Sequence, residues 1–241
     1  MTLAQALPSA PVESLRVLEQ EIIVCRKCPR LVRYREEVAR VKRRAFRDQV
    51  YWGRPVPGFG DAHAKLLILG LAPAAHGANR TGRVFTGDRS GDFLYRELWR
   101  AGFANQPESR DRDDGLQLTN AFISATIRCA PPDNKPLPEE IRNCTPYLES
   151  ELDLLRPRAV LALGRIAFDA YLRILKQRAA LDRTSQFKFS HGASYHLPNP
   201  LPRLYASYHP SQQNTQTGRL TPAMMASVLR QIRIFLNRDD S

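Results

Sequence analysis

Apolar positions recur at helical spacing over residues 12–24, VESLRVLEQEIIV, and predict a helix that runs into Cys25. Pro29 opens a second helical stretch, expected over 31–48, with Arg and Lys crowded onto it. Residues 51–61, YWGRPVPGFGD, carry Pro and Gly at positions that fit neither period and read as an extended loop. From Lys65 the pattern changes. KLLILGLA is a continuous apolar run, a buried strand entering a loop. Residues 92–100 read as a helix with Phe93, Leu94 and Leu98 inward, 116–127 as a strand region, and 138–155 as a helix with an acidic first turn that suits its dipole. RAVLALG (158–164) is a further short buried strand, followed by a helix to about Lys176. Residues 177–200 are polar and read as an exposed excursion; RLYASYH (203–209) is a strand. Thr221 caps a final helix with Pro222 at its first position and apolar residues to Leu236.

Strands alternating with helices imply a parallel, doubly wound sheet. In such sheets the ligand site lies beyond the carboxyl ends of the strands. That rule selects the loop after Leu69, the end of the 116–127 region and the loop after Tyr208, which are also the stretches richest in reactive side chains.

Composition narrows the class. With 43% hydrophobic residues in 241, the chain has enough apolar surface for a core and suits one large domain. Its longest apolar runs, 66–71 and 159–163, are far too short to span a membrane, and residues 1–12 lack the plan of a secretory signal, so a soluble cytoplasmic protein is expected. Lys and Arg number 36 against 24 acids, a net charge of +12; 30 of these cations are Arg. Arg forks match phosphate oxygens, so nucleic acid is the favoured partner, although Arg-rich ion pairing or a GC-rich genome gives the same balance.

The four cysteines are Cys25 and Cys28, a CxxC pair between two helical stretches, and Cys129 and Cys144. Structural disulfides do not suit a cytoplasmic chain. Four converging thiolates would suit Zn²⁺ or an iron–sulfur cubane, and spacing does not separate the two. The alternative is a redox CxxC with two packing cysteines.

The stretch GLAPAAHGANRTGRVFTGD (70–88) leaves a strand and is dense in small residues, which let a ligand approach the backbone. It lacks the Gly-Lys-Ser/Thr ending of a phosphate loop and the GxGxxG spacing. LTNAFISATIRCAPPDNKP (118–136) places Asn120 near a site, and YHPSQQNTQTGRLT (208–221) presents His209 just past a strand. Together with CRKCPRLVRYRE and YWGRPVPGFGD, these segments resemble the uracil-DNA glycosylase superfamily, most closely its iron–sulfur branch, family 5 or type B. The resemblance covers nearly the whole chain. It implies a three-layer α/β/α fold with a central four-stranded parallel sheet and a [4Fe–4S] cluster on Cys25, Cys28, Cys129 and Cys144. It also implies excision of uracil and other deaminated or damaged bases from DNA without strand cleavage. Residues 1–50 would form a helical arm tied to the sheet by the cluster, in a monomer with no membrane association.

On this resemblance Phe85 stacks on a flipped base, Asn120 reads its Watson–Crick edge, and His209 donates to the pyrimidine O2 as charge develops there. Each also has a plain structural role open to it: core packing for Phe85, bridging of strand ends for Asn120, capping or core for His209. Gly70, Leu71, Ala72, His76 and Asp88 complete the expected base-binding set. Other branches carry a polar residue where Leu71 and Ala72 stand, so the base that would activate water is missing; Asn79 is the first choice to orient water, then His76 or Asp88. DNA contacts are expected from Pro55 and Pro57 of the PVPGF loop, from Arg219 and Leu220 as wedge candidates, and from the basic run Arg30, Arg33, Arg35, Arg40, Lys42, Arg43 and Arg44. Two other readings share some of these features, a non-catalytic metal-cluster protein that recognises DNA and a zinc-stabilised binding module. Neither gives a role to Phe85, Asn120 and His209 together.

Overall fold

The computed structural model describes residues 10–238; residues 1–9 and 239–241, including the start of the expected N-terminal arm, lie outside the described residues. Helices α1 (Ala10–Ile23) and α2 (Pro29–Val41) come first. The second is shorter than the expected 31–48. Lys42 adopts a left-handed φ of 59° and its amide bonds back to Val38 O, closing the helix; only a single 3₁₀ turn, Arg44–Phe46, follows. Left-handed helix ends are usually marked by Gly, so a Lys there gives no warning in the sequence.

The loop 51–61 ends in a two-residue strand, β1 (Phe59–Gly60). A side chain at Gly60 would come within 2.4 Å of the Ala121 carbonyl oxygen, so this approach of loop to sheet requires glycine. Then follow β2 (Leu66–Gly70), α3 (Ala78–Thr81), α4 (Arg89–Arg100), β3 (Ala121–Ala125), α5 (Pro138–Leu155), β4 (Ala159–Leu163), α6 (Arg165–Gln177), β5 (Ser194–Tyr195), β6 (Arg203–Ser207), α7 (Gln212–Gln216) and α8 (Pro222–Asn237). The strand order is β1-β3-β2-β4-β6-β5. The central four are parallel, as expected, with β2 paired to both β3 and β4. The two short edge strands are antiparallel additions.

Alternate residues of the central strands face opposite layers. Leu66, Ile68, Ile123, Leu161 and Tyr205 pack with α4 and α8; Leu67, Leu69, Phe122, Val160 and Leu204 pack with α5 and α6. Each such side chain contributes roughly 1.5–3 kcal/mol through burial, and with both faces covered β2 and β4 read as unbroken apolar runs. The excursion 177–200 is less exposed than its composition implies. Leu181 is buried, and Phe187, Phe189 and Tyr195 pack against the α6 side, with Phe168 at the centre of the ring cluster.

One ion pair is enclosed in this frame. Arg128, just past β3, donates to Glu151 of α5 at 2.7 Å, and Ser124 donates to the same carboxylate oxygen. Both charged residues are almost wholly buried. Glu151→Ala is expected to destabilise the protein by about 3–5 kcal/mol, because it strands a buried guanidinium, whereas Arg128→Met/Glu151→Leu recovers most of the loss. Urea unfolding of the two variants checks both values.

Candidate active site

The loops leaving β2, β3 and β6 meet in a cleft of about 250 Å³. Leu71, Ala72, Phe85, Asp88, Ala125, Asn134, His209 and Ser211 are among the residues that line it. A larger hollow of about 400 Å³ lies under α1 beside Phe59 and Phe122 and shares no lining residue with this cleft.

Phe85 has a left-handed φ of 52°, a conformation that costs a non-glycine residue about 1–3 kcal/mol. Its surroundings enforce it. Gly70 lies directly against the ring, and a Cβ there would fall 2.9 Å from it. Tyr95 donates to Val84 O at 2.9 Å, the Thr86 and Ser109 hydroxyls are 2.7 Å apart, and Arg83 clasps Asp114. Burial would raise the Asp114 pKa, but the Arg83 hydrogen bonds and two backbone amides hold it down at about 2. The loop is therefore rigid on both sides of the aromatic ring.

His209 follows β6 with its ring 5.6 Å from that of Phe85, inclined by 32°. Asn214 donates to the His209 carbonyl at 2.8 Å and fixes the turn. Burial holds the imidazole pKa down at about 4, so the ring is neutral near pH 7 and has one N–H to give. Asp88 caps α4 by accepting from Gly91 N at 3.0 Å. Its second oxygen lies over Gly77, where a side chain would approach to 2.1 Å. Burial raises the Asp88 pKa, opposed by the amides of Gly91 and Ser90. Among the described residues lining the cleft it is the one carboxylate.

Several residues singled out in the sequence lie elsewhere. Asn120 precedes β3 instead of following it. Its side-chain oxygen accepts from Lys65 N at 2.8 Å, and its own amide donates to Asp61. Five residues of strand, about 16 Å at ~3.3 Å per residue, separate it from Ala125 at the cleft, so it bridges strand ends. The side-chain amide that does line the cleft belongs to Asn134, in the turn after Pro131 and Pro132 with a φ of 57°. Asn79 is fully buried and bonds Arg35 O and Ala75 O, outside the cleft lining. His76 turns to Tyr51, with Nδ1 3.1 Å from the phenol oxygen. Gly70 serves the cleft indirectly, as the floor under Phe85.

The expected DNA contacts are also redistributed. Leu220 is 1% exposed, in the core with α8, and cannot act as a wedge. Pro55 and Pro57 are buried, since Val56 N bonds Arg128 O and Trp52 donates to Pro55 O. Of the basic run, Arg30 pairs with Glu140, Arg40 with Glu37, and Arg35 is buried. Arg33, Arg43, Arg44 and Arg219 remain exposed, the last over the Tyr208 ring at 4.7 Å.

All four cysteines are free thiols. Cys25 follows α1, Cys28 is the residue before α2, Cys129 follows β3, and Cys144 lies in α5. They form one neighbourhood: Cys28, Cys129 and Cys144 pack around Leu31 and Ile127, and Cys25 is close enough for its charge to bear on Cys28, Cys129 and Cys144. Burial raises the thiol pKa of Cys129 to about 12 and of Cys144 to about 11. Donors nonetheless point at the sulfurs, Arg35 to Cys129 at 2.9 Å and Asn143 to Cys28 at 3.6 Å. Such donors fit ligating thiolates. Among the described residues, no three of His, Cys, Asp or Glu are set for a single ion.

Two outcomes follow. With its pKa below the unfolded value, His209 contributes stability that is complete above about pH 6.5 and is lost as pH falls toward 4; ring nuclear magnetic resonance should show it neutral at pH 6. Asn120→Ala should lower stability by about 1–3 kcal/mol and leave the activity of the folded protein unchanged, as measured below its melting range.

Known proteins place this geometry. The family model described as the uracil DNA glycosylase superfamily matches residues 57–233. A type-5 uracil-DNA glycosylase of Mycobacterium bovis is 54% identical over 91% of this chain and 81% of its own length. One from Thermus thermophilus is 53% identical over 89% of this chain and 94% of its own. A type-4 uracil-DNA glycosylase of Pyrobaculum aerophilum is 31% identical over 68% of each. The chain belongs to the uracil DNA glycosylase superfamily.

Proposed function

We propose that this chain is a monofunctional uracil-DNA glycosylase that hydrolyses the N-glycosidic bond of uracil, and of other deaminated bases, to begin base excision repair. The observation that carries this reading is the pairing of Phe85 with a neutral His209 across one strand-end cleft. A duplex hides the glycosidic bond, so the nucleotide must be turned out of the stack and received by a pocket. Phe85 would stack on the base and Asn134 would read its polar edge. As the bond to the sugar breaks, its electron pair passes to the base. His209 would stabilise that charge by donating to O2. Water adds its oxygen to the sugar C1′ and releases a proton. Asp88 replaces Asn79 as the residue to orient that water, since Asp88 lines the cleft and Asn79 does not.

The exposed Arg33, Arg43, Arg44 and Arg219 would neutralise phosphates. Cys25, Cys28, Cys129 and Cys144 would hold a [4Fe–4S] cluster, a reading supported by four free thiols in one neighbourhood and by side-chain donors on two sulfurs, the buried Arg35 on Cys129 and the half-buried Asn143 on Cys28. When bound, that group supplies a cross-link between the N-terminal helices and the sheet. No described helix is long and apolar enough to cross a membrane. The reading includes a cytoplasmic monomer.

A uracil-containing duplex, incubated with the protein and then treated with alkali, should be cut at the uracil. Absence of product from uracil and hypoxanthine duplexes alike would overturn the assignment. His209→Ala should lower the single-turnover rate by about 10²–10³ while DNA binding stays within about twofold; equal losses in both would place His209 in binding alone.

A further inference from the structure

Three arginines are buried among the described residues, and two of them have a carboxylate. Arg83 clasps Asp114 at 2.6 Å and Arg128 meets Glu151 at 2.7 Å. Arg35, 2% exposed, is the exception. Its nearest carboxylate is Glu36 at 3.8 Å, which is half exposed and already holds Arg26 at 2.6 Å. Arg35 turns instead to the cysteines: Nη1 donates to Cys129 Sγ at 2.9 Å, and Nη1 and Nη2 both donate to Cys25 O at 3.3 Å. One guanidinium thus spans a cysteine of the N-terminal arm and a cysteine beyond the sheet. A buried cation requires a counter-charge; besides Glu36, which Arg26 already holds, the groups beside Arg35 that would carry one are the cysteine sulfurs once they ligate a cluster.

The same residue reaches the loop that borders the base cleft through its backbone. Its carbonyl oxygen accepts from the side chain of Asn79 at 3.3 Å. Asn79 belongs to α3, in the loop that carries Gly77 against Asp88 and leads on to Phe85. Asn79 and Arg35 each also keep one buried polar atom without a partner, an acceptor Oδ1 on Asn79 and a donor Nε on Arg35. Ala72 makes a second link, since it packs on the cysteine group and lines the cleft.

We propose that Arg35 is a positioning residue that couples occupancy of the cysteine site to the order of the base-binding loop. Its guanidinium balances the charge of the loaded thiolates, and its carbonyl holds Asn79. The proposal rests on the cluster reading above. Hydrogen bonds and positive charge at a ligating sulfur raise a cluster's reduction potential and prolong its retention.

The test uses anaerobically purified holoprotein. Iron and acid-labile sulfide are assayed first; a wild type with neither overturns the cluster reading and takes this inference with it. In loaded protein, Arg35→Met should lose its visible absorbance to a chelator about 10-fold faster than wild type and show a more negative reduction potential, with Arg35→Lys between the two. Hydrogen exchange of residues 74–82 should then rise when wild type is stripped of its cluster. In Asn79→Ala exchange should be high in loaded and stripped protein alike, while the chelation rate stays at the wild-type value. Unchanged chelation and potential in both Arg35 variants would overturn the charge role. Equal exchange of 74–82 in loaded and stripped wild type would overturn the coupling, and this arm holds even where a variant fails to fold.

Discussion

Burial of four parallel strands on both faces is the constraint from which the rest of this molecule follows. A strand enclosed by helices on two sides has little room for a polar side chain: β2 and β4 carry none, β3 carries only Ser124, which is bonded to Glu151, and β6 has Arg203 and Ser207 at its two ends. Polar chemistry is therefore displaced to the strand ends. At the carboxyl ends, the loops after β2 and β6 diverge from the sheet and leave a cleft between them, walled by Phe85 and His209. The cysteine group forms at the same end because β3 runs on into Cys129. Ala72 stands between the two with contacts to both, so the base cleft and the cysteine group are separated by one small side chain.

The excess of arginine acquires two meanings in this frame. Part of it is structural: Arg83, Arg128 and Arg30 each meet a carboxylate, and Arg80 spans His76 O, Gly87 O and Gln49 to fasten the loop that carries Phe85. A guanidinium has five donors in a fixed plane and can tie several acceptors at once, which a lysine cannot do. Others, among them Arg33, Arg43, Arg44 and Arg219, are exposed and contribute to the chain's positive field. A net charge of +12 consequently overstates the number of arginines free to meet phosphate.

The helices and buried strands are legible in the sequence because each is a long run of one period, and α5 spans the residues expected of it. The site was legible to the level of the loop and no further. A strand region read as 116–127 leaves Asn120 looking central, whereas the ladder begins only at Ala121 and puts Asn120 at the amino end. Nothing local distinguishes the two ends. Asn134 escapes notice because it lies nine residues past the end of β3, in a turn behind two prolines, although an Asn in a left-handed turn is a recognisable signal. Leu220 looks like a wedge because it is apolar within a polar segment, but an apolar side chain that can reach a core beside it buries itself there. Asn79 has its partner 44 residues away on α2, a distance that no motif spacing encodes.

The protonation states in the cleft decide how the proposed reaction is divided among its residues. Leu71 and Ala72 offer no base, and burial shifts Asp88 toward its protonated form, so a strongly activated water is not what this cleft is built to make. The neutral His209 matters more. A protonated imidazole would carry its full charge before the bond begins to break and would attract any nearby phosphate, binding ground state and transition state alike. A neutral N–H interacts weakly with an uncharged base and gains strength only as the oxygen it faces becomes anionic. That difference between the two states is what lowers a barrier. Partial enclosure of the ring between Phe85 and the turn held by Asn214 keeps it neutral, so the packing that receives the base also sets the donor's charge.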